Sequence, residues 1–218
     1  MRFDAVIFDL DGTLLDTLDD LADSMNSALS KMGFPEHNRD EYKYFVGDGM
    51  KTLVPRALPE KARTPEIIEQ CTVLMRAEYD VRWNNKTRPY PGVPELLDSL
   101  TAMGIKKAVL SNKPDKYTKL VVAKLLPDWM FESVYGADPP RIPVKPDPGG
   151  ALVVAAELAV EPARILYLGD TNTDMRTANA AGFFALGAAW GFRTAKELEE
   201  AGARAVIGKP PEALGFIK

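Results

Sequence analysis

From Arg88 onward, short apolar runs alternate with stretches of helical spacing, and such a chain has few options besides a parallel sheet with helices on its faces. Leu96, Leu97 and Leu100 mark a helix, 105–110 a strand, 117–125 a helix and 131–135 a strand. A helix over 151–158, a strand over 164–168, a helix over 175–181 and strands at 183–186 and 205–207 continue the pattern. Pro139, Pro140, Pro143, Pro146 and Pro148 crowd one connection, which reads as a stiff extended loop. Ala5-Val6-Ile7-Phe8 adds a further buried strand near the amino terminus.

Between residues 16 and 86 the spacing is helical throughout. Leu18, Leu21, Ala22, Met25, Leu29 and Met32 share one face before Gly33 ends it, and Ile67, Cys71, Leu74 and Met75 share another. The expected fold is therefore α/β: a doubly wound parallel sheet core over 1–15 and 87–218, with a small all-helical cap, 16–86, inserted after the first strand. The 218 residues are 46% apolar and 27% charged, ample for a packed core.

Charge and composition narrow the partners. Lys+Arg 27 against Asp+Glu 31 gives −4, the wrong sign for tracking a nucleic-acid backbone. No apolar run approaches the ~20 residues of a membrane helix, and Met1-Arg2-Phe3-Asp4 turns acidic before a signal-peptide core forms. With Cys71 the only cysteine, a reducing compartment is expected, the cytoplasm by default. His37 is the only histidine, so a metal here must sit on oxygen.

In open parallel sheets, ligands bind beyond the carboxyl ends of the strands. There the chain places Asp9 and Asp11, Ser111-Asn112-Lys113, Lys145, and Asp170 with Asp174. Carboxylates hold a hard cation, ammonium groups neutralise an anion, and a hydroxyl beside backbone N–H groups cradles oxygens. The set suits phosphate.

Asp9-Leu10-Asp11-Gly12-Thr13, Ser111-Asn112-Lys113, Lys145-Pro146-Asp147-Pro148 and Gly169-Asp170-Thr171-Asn172-Thr173-Asp174 resemble, in order, the four motifs of the haloacid dehalogenase superfamily of phosphatases. Tyr90-Pro91-Gly92-Val93, Ala180-Ala181-Gly182 and Trp190-Gly191-Phe192 extend the resemblance, toward its phosphoglycolate-phosphatase branch. Ser111 stands where Thr is common, and Gly149-Gly150 is an unusual helix start. The resemblance implies Asp9 as nucleophile and Asp11 as acid and base. It also implies Mg²⁺ held by Asp9, Asp170 and the Asp11 backbone carbonyl, Asp174 orienting a metal water or Lys145, and Lys145 absorbing charge. Ser111, Asn112 and Lys113 would bind substrate, a small phosphorylated metabolite such as 2-phosphoglycolate. In an extended chain residues two apart point the same way, which accounts for the spacing of Asp9 and Asp11.

Blander readings stand beside these. Gly47-Asp48-Gly49 is a turn by composition and a substrate-specificity loop by the resemblance. Asp16, Asp19, Asp20 and Asp23 read as helix-start charge and a solvated face, as does His37, and Cys71 as packing. A phosphosugar mutase of the same superfamily is the nearest rival function, because it uses the same aspartate pair. A receiver-like phosphate-binding domain is a rival from another class, and a dehalogenase has no need of Asp11. Exposed cap surface is where a homodimer would form.

Overall fold

The computed structural model describes residues 3–217; Met1, Arg2 and Lys218, which the reading of the amino terminus and of the core boundaries includes, lie outside the described residues. The elements in order are β1 (Ala5–Phe8), β2 (Leu15–Asp16), α1 (Leu18–Lys31), α2 (Arg39–Phe45), α3 (Met50–Ala57), α4 (Pro65–Arg82), β3 (Arg88–Pro89), α5 (Val93–Ala102), β4 (Lys106–Pro114), α6 (Asp115–Leu125), β5 (Ser133–Ala137), α7 (Gly149–Leu158), β6 (Ile165–Gly169), α8 (Asn172–Ala180), β7 (Phe184–Ala188), α9 (Ala195–Glu200), β8 (Ala205–Ile207) and α10 (Leu214–Ile217). Six strands form one parallel sheet in the order β5-β4-β1-β6-β7-β8. Beginning at β1, the chain builds outward on one side through β4 and β5 and then on the other through β6, β7 and β8. This is the doubly wound arrangement, and it puts the topological switch beside β1.

Period-two alternation in β1 explains the layers. Val6 and Phe8 pack with Leu96, Leu97 and Leu100 of α5 and Val121 and Val122 of α6. Ala5 and Ile7 pack on the opposite face with Val154 of α7, Met175 and Ala178 of α8, and Leu198 of α9. Both faces of the strand are buried, so its sequence is apolar without a break.

Helices α1 to α4 surround a core of their own, including Leu18, Met25, Leu29, Tyr42, Val54, Cys71 and Met75, which Tyr117 of α6 and Phe192 join from the sheet side. The all-helical insert after the first strand is as expected. Its junctions form a two-residue antiparallel pairing, Leu15 with Pro89 and Asp16 with Arg88.

Two sequence expectations need correction. Ser111-Asn112-Lys113 was expected beyond a strand ending at residue 110, but β4 continues through all three. A bulge permits this, because Leu110 pairs with Tyr135 and the next registered pair is Pro114 with Ala137. A Cβ at residue 136 would collide with the Lys113 carbonyl, so glycine there lets the strands approach.

The acidic run of α1 is not simply a solvated face. Asp20 is buried, and its carboxylate accepts the Lys86 N–H at 3.0 Å and the Thr87 N–H and hydroxyl at 2.9 and 2.7 Å. Arg39 pairs with Asp16 and Asp19, and Lys86 with Asp23 at 2.6 Å. His37 is only partly exposed, with Nε2 2.8 Å from the Ala57 carbonyl and its ring edge-on to Phe45. Cys71 is fully buried, as read.

Candidate active site

β1 delivers Asp9 to the switch point, where its N–H donates to the Leu168 carbonyl at 2.9 Å and so keeps the chain on β6 for one residue more. One carboxylate oxygen, Oδ1, accepts the Leu10 N–H at 2.7 Å and lies 3.0 Å from Lys145 Nζ; the other, Oδ2, receives neither contact. Two residues on, Asp11 faces the same cavity, and both its oxygens accept from Lys113 Nζ, at 2.8 and 2.7 Å.

Lys145 is buried at the point where the carboxylates meet. Its ammonium lies 2.6 Å from Asp174 Oδ1 and donates to the Leu110 carbonyl and Tyr167 hydroxyl, each at 3.1 Å. Asn112 fixes the lysine's backbone from both directions: Oδ1 accepts the Lys145 N–H at 2.7 Å, and Nδ2 donates to the Lys145 carbonyl at 3.1 Å. A side chain alone could swing away; a clamped backbone confines where the ammonium reaches.

β6 supplies Asp170, held by the Thr13 hydroxyl on Oδ1 and the Phe192 N–H on Oδ2, both at 2.8 Å. The approach is so close that a Cβ at Gly12 or Gly191 would collide with this carboxylate, and Gly12 also has φ +87°, where glycine is favoured. One turn later Asp174 caps its own helix, its Oδ2 accepting the Thr171 N–H at 3.0 Å and hydroxyl at 2.6 Å.

Asp9, Asp170 and Asp174 are all buried and offer carboxylate oxygens within 4.8 Å of one another. Burial raises the Asp9 carboxyl, Asp174 adds repulsion, and Lys145 offsets only part of it, leaving Asp9 at about 7. Asp170 is pushed well above the usual carboxylate range by burial and by the charges of Asp174 and Asp9. Burial would lower Lys145, but Asp174 and Asp9 reverse that and hold it well above its ordinary value. Three carboxylates with one ammonium among them leave a deficit of positive charge. A hard divalent cation on oxygen ligands fits such a set.

Asp9, Asp11, Ser111, Asn112, Lys113, Gly47 and Gly49 line one cavity under the helical insert. Lys145, Asp170 and Asp174 do not line it; they reach it through Asp9. Asp48 is also absent from the lining. Its side chain accepts the Thr173 hydroxyl at 2.7 Å and Arg56 Nη2 at 2.6 Å, bonds that outweigh burial and hold its carboxyl below the ordinary value. The acidic cluster found among the described residues does not include Asp11. Asp174 belongs to it, although its two oxygens already accept from Lys145 and Thr171.

Several contributors carried no sequence signal of their own: the Thr13 hydroxyl, the Phe192 amide, Tyr167 against Lys145, and Tyr79 and Tyr117 in the cavity wall. Thr13 and Phe192 fell inside motifs already singled out. Tyr79 could have been found only by noticing a phenol on an apolar helix face.

A carboxylate nest and a buried ammonium at the switch point of a doubly wound sheet, roofed by helices, define a class of hydrolase. The chain belongs to the haloacid dehalogenase-like hydrolase family, which matches residues 6–188. It is 32% identical over 198 residues to a phosphoglycolate phosphatase of Haemophilus influenzae (strain 86-028NP), covering 88% of each chain. A phosphoglycolate phosphatase of Aquifex aeolicus (strain VF5) is 32% identical over 187 residues, covering 86% of this chain and 85% of that one. Among solved structures, a predicted phosphoglycolate phosphatase from Haemophilus somnus 129PT superposes with a TM-score of 0.91 at 27% identity, covering 100% of this chain and 99% of that one. Family and fold expectations from the four motifs therefore hold. Among the described residues no helix is long and apolar enough to cross a membrane.

Proposed function

We propose that the protein is a Mg²⁺-dependent phosphatase that hydrolyses a small phosphate monoester, 2-phosphoglycolate to glycolate in the first instance, through a phosphorylated Asp9. The observation that carries this reading is the setting of Asp9: one oxygen held by the Leu10 N–H and the Lys145 ammonium, the other outside those contacts, beside a cavity that Asp11 also lines. In this reading residues 16–86 act as a cap over a core formed by 1–15 and 87–218, and the reaction takes place in the cytoplasm.

Asp9 Oδ2 attacks phosphorus, and the bond from phosphorus to the leaving oxygen breaks as Asp11 supplies that oxygen with a proton. Asp11 then takes a proton from the water that attacks the phosphorylated Asp9, and inorganic phosphate departs. Lys145 neutralises Asp9 and the phosphoryl oxygens together, while Asp174 keeps the ammonium aimed. Ser111 and the amides at the end of β4 receive phosphate oxygens, and Lys113 orients Asp11. Asp9, Asp170 and the Asp11 carbonyl would hold Mg²⁺, with Asp174 behind them, and the ion would supply the positive charge that lets a dianion approach a carboxylate.

The cap loop carrying Gly47 and Gly49 closes the cavity over the leaving group and expels water. A panel of phosphorylated C2 to C6 metabolites, read by phosphate release and by phosphosugar isomer formation, tests the reading. Phosphate release with 2-phosphoglycolate preferred is expected; isomer formation without release would convert the assignment to the mutase.

A further inference from the structure

The cavity over Asp9 and Asp11 is unevenly furnished. Leu21, Val46, Met50 and Leu53 form apolar walls with no side-chain group for a hydroxyl to bond. Apart from the two aspartates, its polar furniture away from the phosphate end is concentrated where Lys113 and Tyr79 meet. Lys113 Nζ sits over the Tyr79 ring, 5.0 Å from its centroid, and two of its three protons go to the Asp11 oxygens. The Tyr79 hydroxyl is buried beside that ammonium, and its own proton has no acceptor.

A buried hydroxyl whose proton finds no acceptor is costly in a folded interior unless something completes it. Tyr79 is otherwise well seated, edge-on to Tyr117 at 5.4 Å between centroids, so its ring would pack equally well as phenylalanine. The hydroxyl is the part that packing does not explain.

We propose that the Tyr79 hydroxyl, backed by the Lys113 ammonium, forms the leaving-group subsite and is a specificity-determining element of the enzyme. A donor with a positive charge behind it suits a group that only accepts, namely a carboxylate held close to the phosphate ester. It does not suit a polyol, whose hydroxyls also need acceptors that the apolar walls lack. Tyr79 comes from α4 in the cap, whereas Lys113 comes from β4 in the core, so the pair joins cap to core where the leaving group would bind. This rests on the phosphatase reading above and adds to it the residues that choose the substrate.

The test compares 2-phosphoglycolate with 2-hydroxyethyl phosphate, which is of the same length with a hydroxymethyl in place of the carboxylate. In Tyr79→Phe, kcat/KM for 2-phosphoglycolate is expected to fall about tenfold, mostly through KM, while that for 2-hydroxyethyl phosphate changes less than about twofold. Equal losses on the two esters, or no loss on either, would overturn the subsite while leaving the phosphatase reading in place. Should the wild type hydrolyse neither ester, that reading fails, and calorimetric binding of 2-phosphoglycolate to Asp9→Asn with and without Tyr79→Phe decides the subsite. Binding about tenfold weaker without the hydroxyl upholds it, and equal affinity ends it.

Discussion

Asp9 and Asp11 are two residues apart and face one cavity, yet their contacts differ. Asp9 has an oxygen outside its contacts with Leu10 and Lys145, while Asp11 is gripped at both oxygens by Lys113. Asp9→Asn keeps the volume and removes the nucleophile, so turnover should fall below about 10⁻⁴ of wild type with the far-ultraviolet spectrum unchanged. Asp11→Asn should cost about 10² to 10⁴-fold for esters with poor leaving groups and much less for p-nitrophenyl phosphate, whose leaving oxygen needs little protonation. Equal losses on the two ester types would remove Asp11 from the proton-transfer role. Asp9, Asp11 and Asp170 stood out in the sequence because polar residues that directly follow buried strands have few other reasons to sit there, and Lys145 because it is the lysine in a stiff proline-rich loop. Asp20 was not legible. It reads as one more acid at a helix start, and its partners lie far along the chain at Lys86 and Thr87. Asp20→Ala strands those buried donors and should cost about 2–3 kcal/mol in denaturant unfolding, with the m-value preserved.

At the level of elements, what the sequence concealed is how the loop between α2 and α3 is fastened to the core. Gly47-Asp48-Gly49 reads as a turn, and nothing in its composition names a partner. The core holds it from three places. Asn112 Nδ2 donates to the Gly47 carbonyl at 3.1 Å, and the Thr173 hydroxyl to Asp48 at 2.7 Å. Arg193 reaches from the loop before α9 to the Lys43 and Val46 carbonyls, its guanidinium 5.0 Å from the Tyr44 ring centroid. Asn112 is shared with the Lys145 clamp, so the position of the loop and that of the lysine are mechanically joined. Arg193→Ala should therefore lower kcat/KM about tenfold on every phosphate ester alike, unlike a change at Tyr79, because it weakens closure and not recognition. Steady-state kinetics on the two esters named above check this; a loss confined to 2-phosphoglycolate would place Arg193 in recognition instead. The strand boundaries misjudged from sequence have a similar origin. β4 extends through Ser111-Asn112-Lys113 because Gly136, on another strand, leaves room for it.

For the molecule as a whole, the charge nest at the switch point works against folding whenever it lacks a cation. Burial raises Asp9 to about 7, with Asp174 adding to the rise and Lys145 opposing it, and burial with the charges of Asp174 and Asp9 also raises Asp170. An unfolded chain releases such protons near the ordinary carboxylate value of about 4. Between about pH 4 and pH 7 the folded state therefore binds more protons than the unfolded state, and stability falls as pH rises through that window. A divalent cation needs the carboxylates deprotonated and binds the folded state alone, so its stabilising effect should grow over the same range. Melting temperatures measured from about pH 5 to 8 in EDTA and in MgCl₂ should diverge, the EDTA curve declining while the MgCl₂ curve stays level or rises. Asp170→Asn removes one buried charge, flattens the EDTA curve and abolishes the gap. Parallel curves for the wild type would mean that the nest holds no cation. They would leave Lys145, already committed to Asp174, to neutralise both the nucleophile and the phosphate by itself.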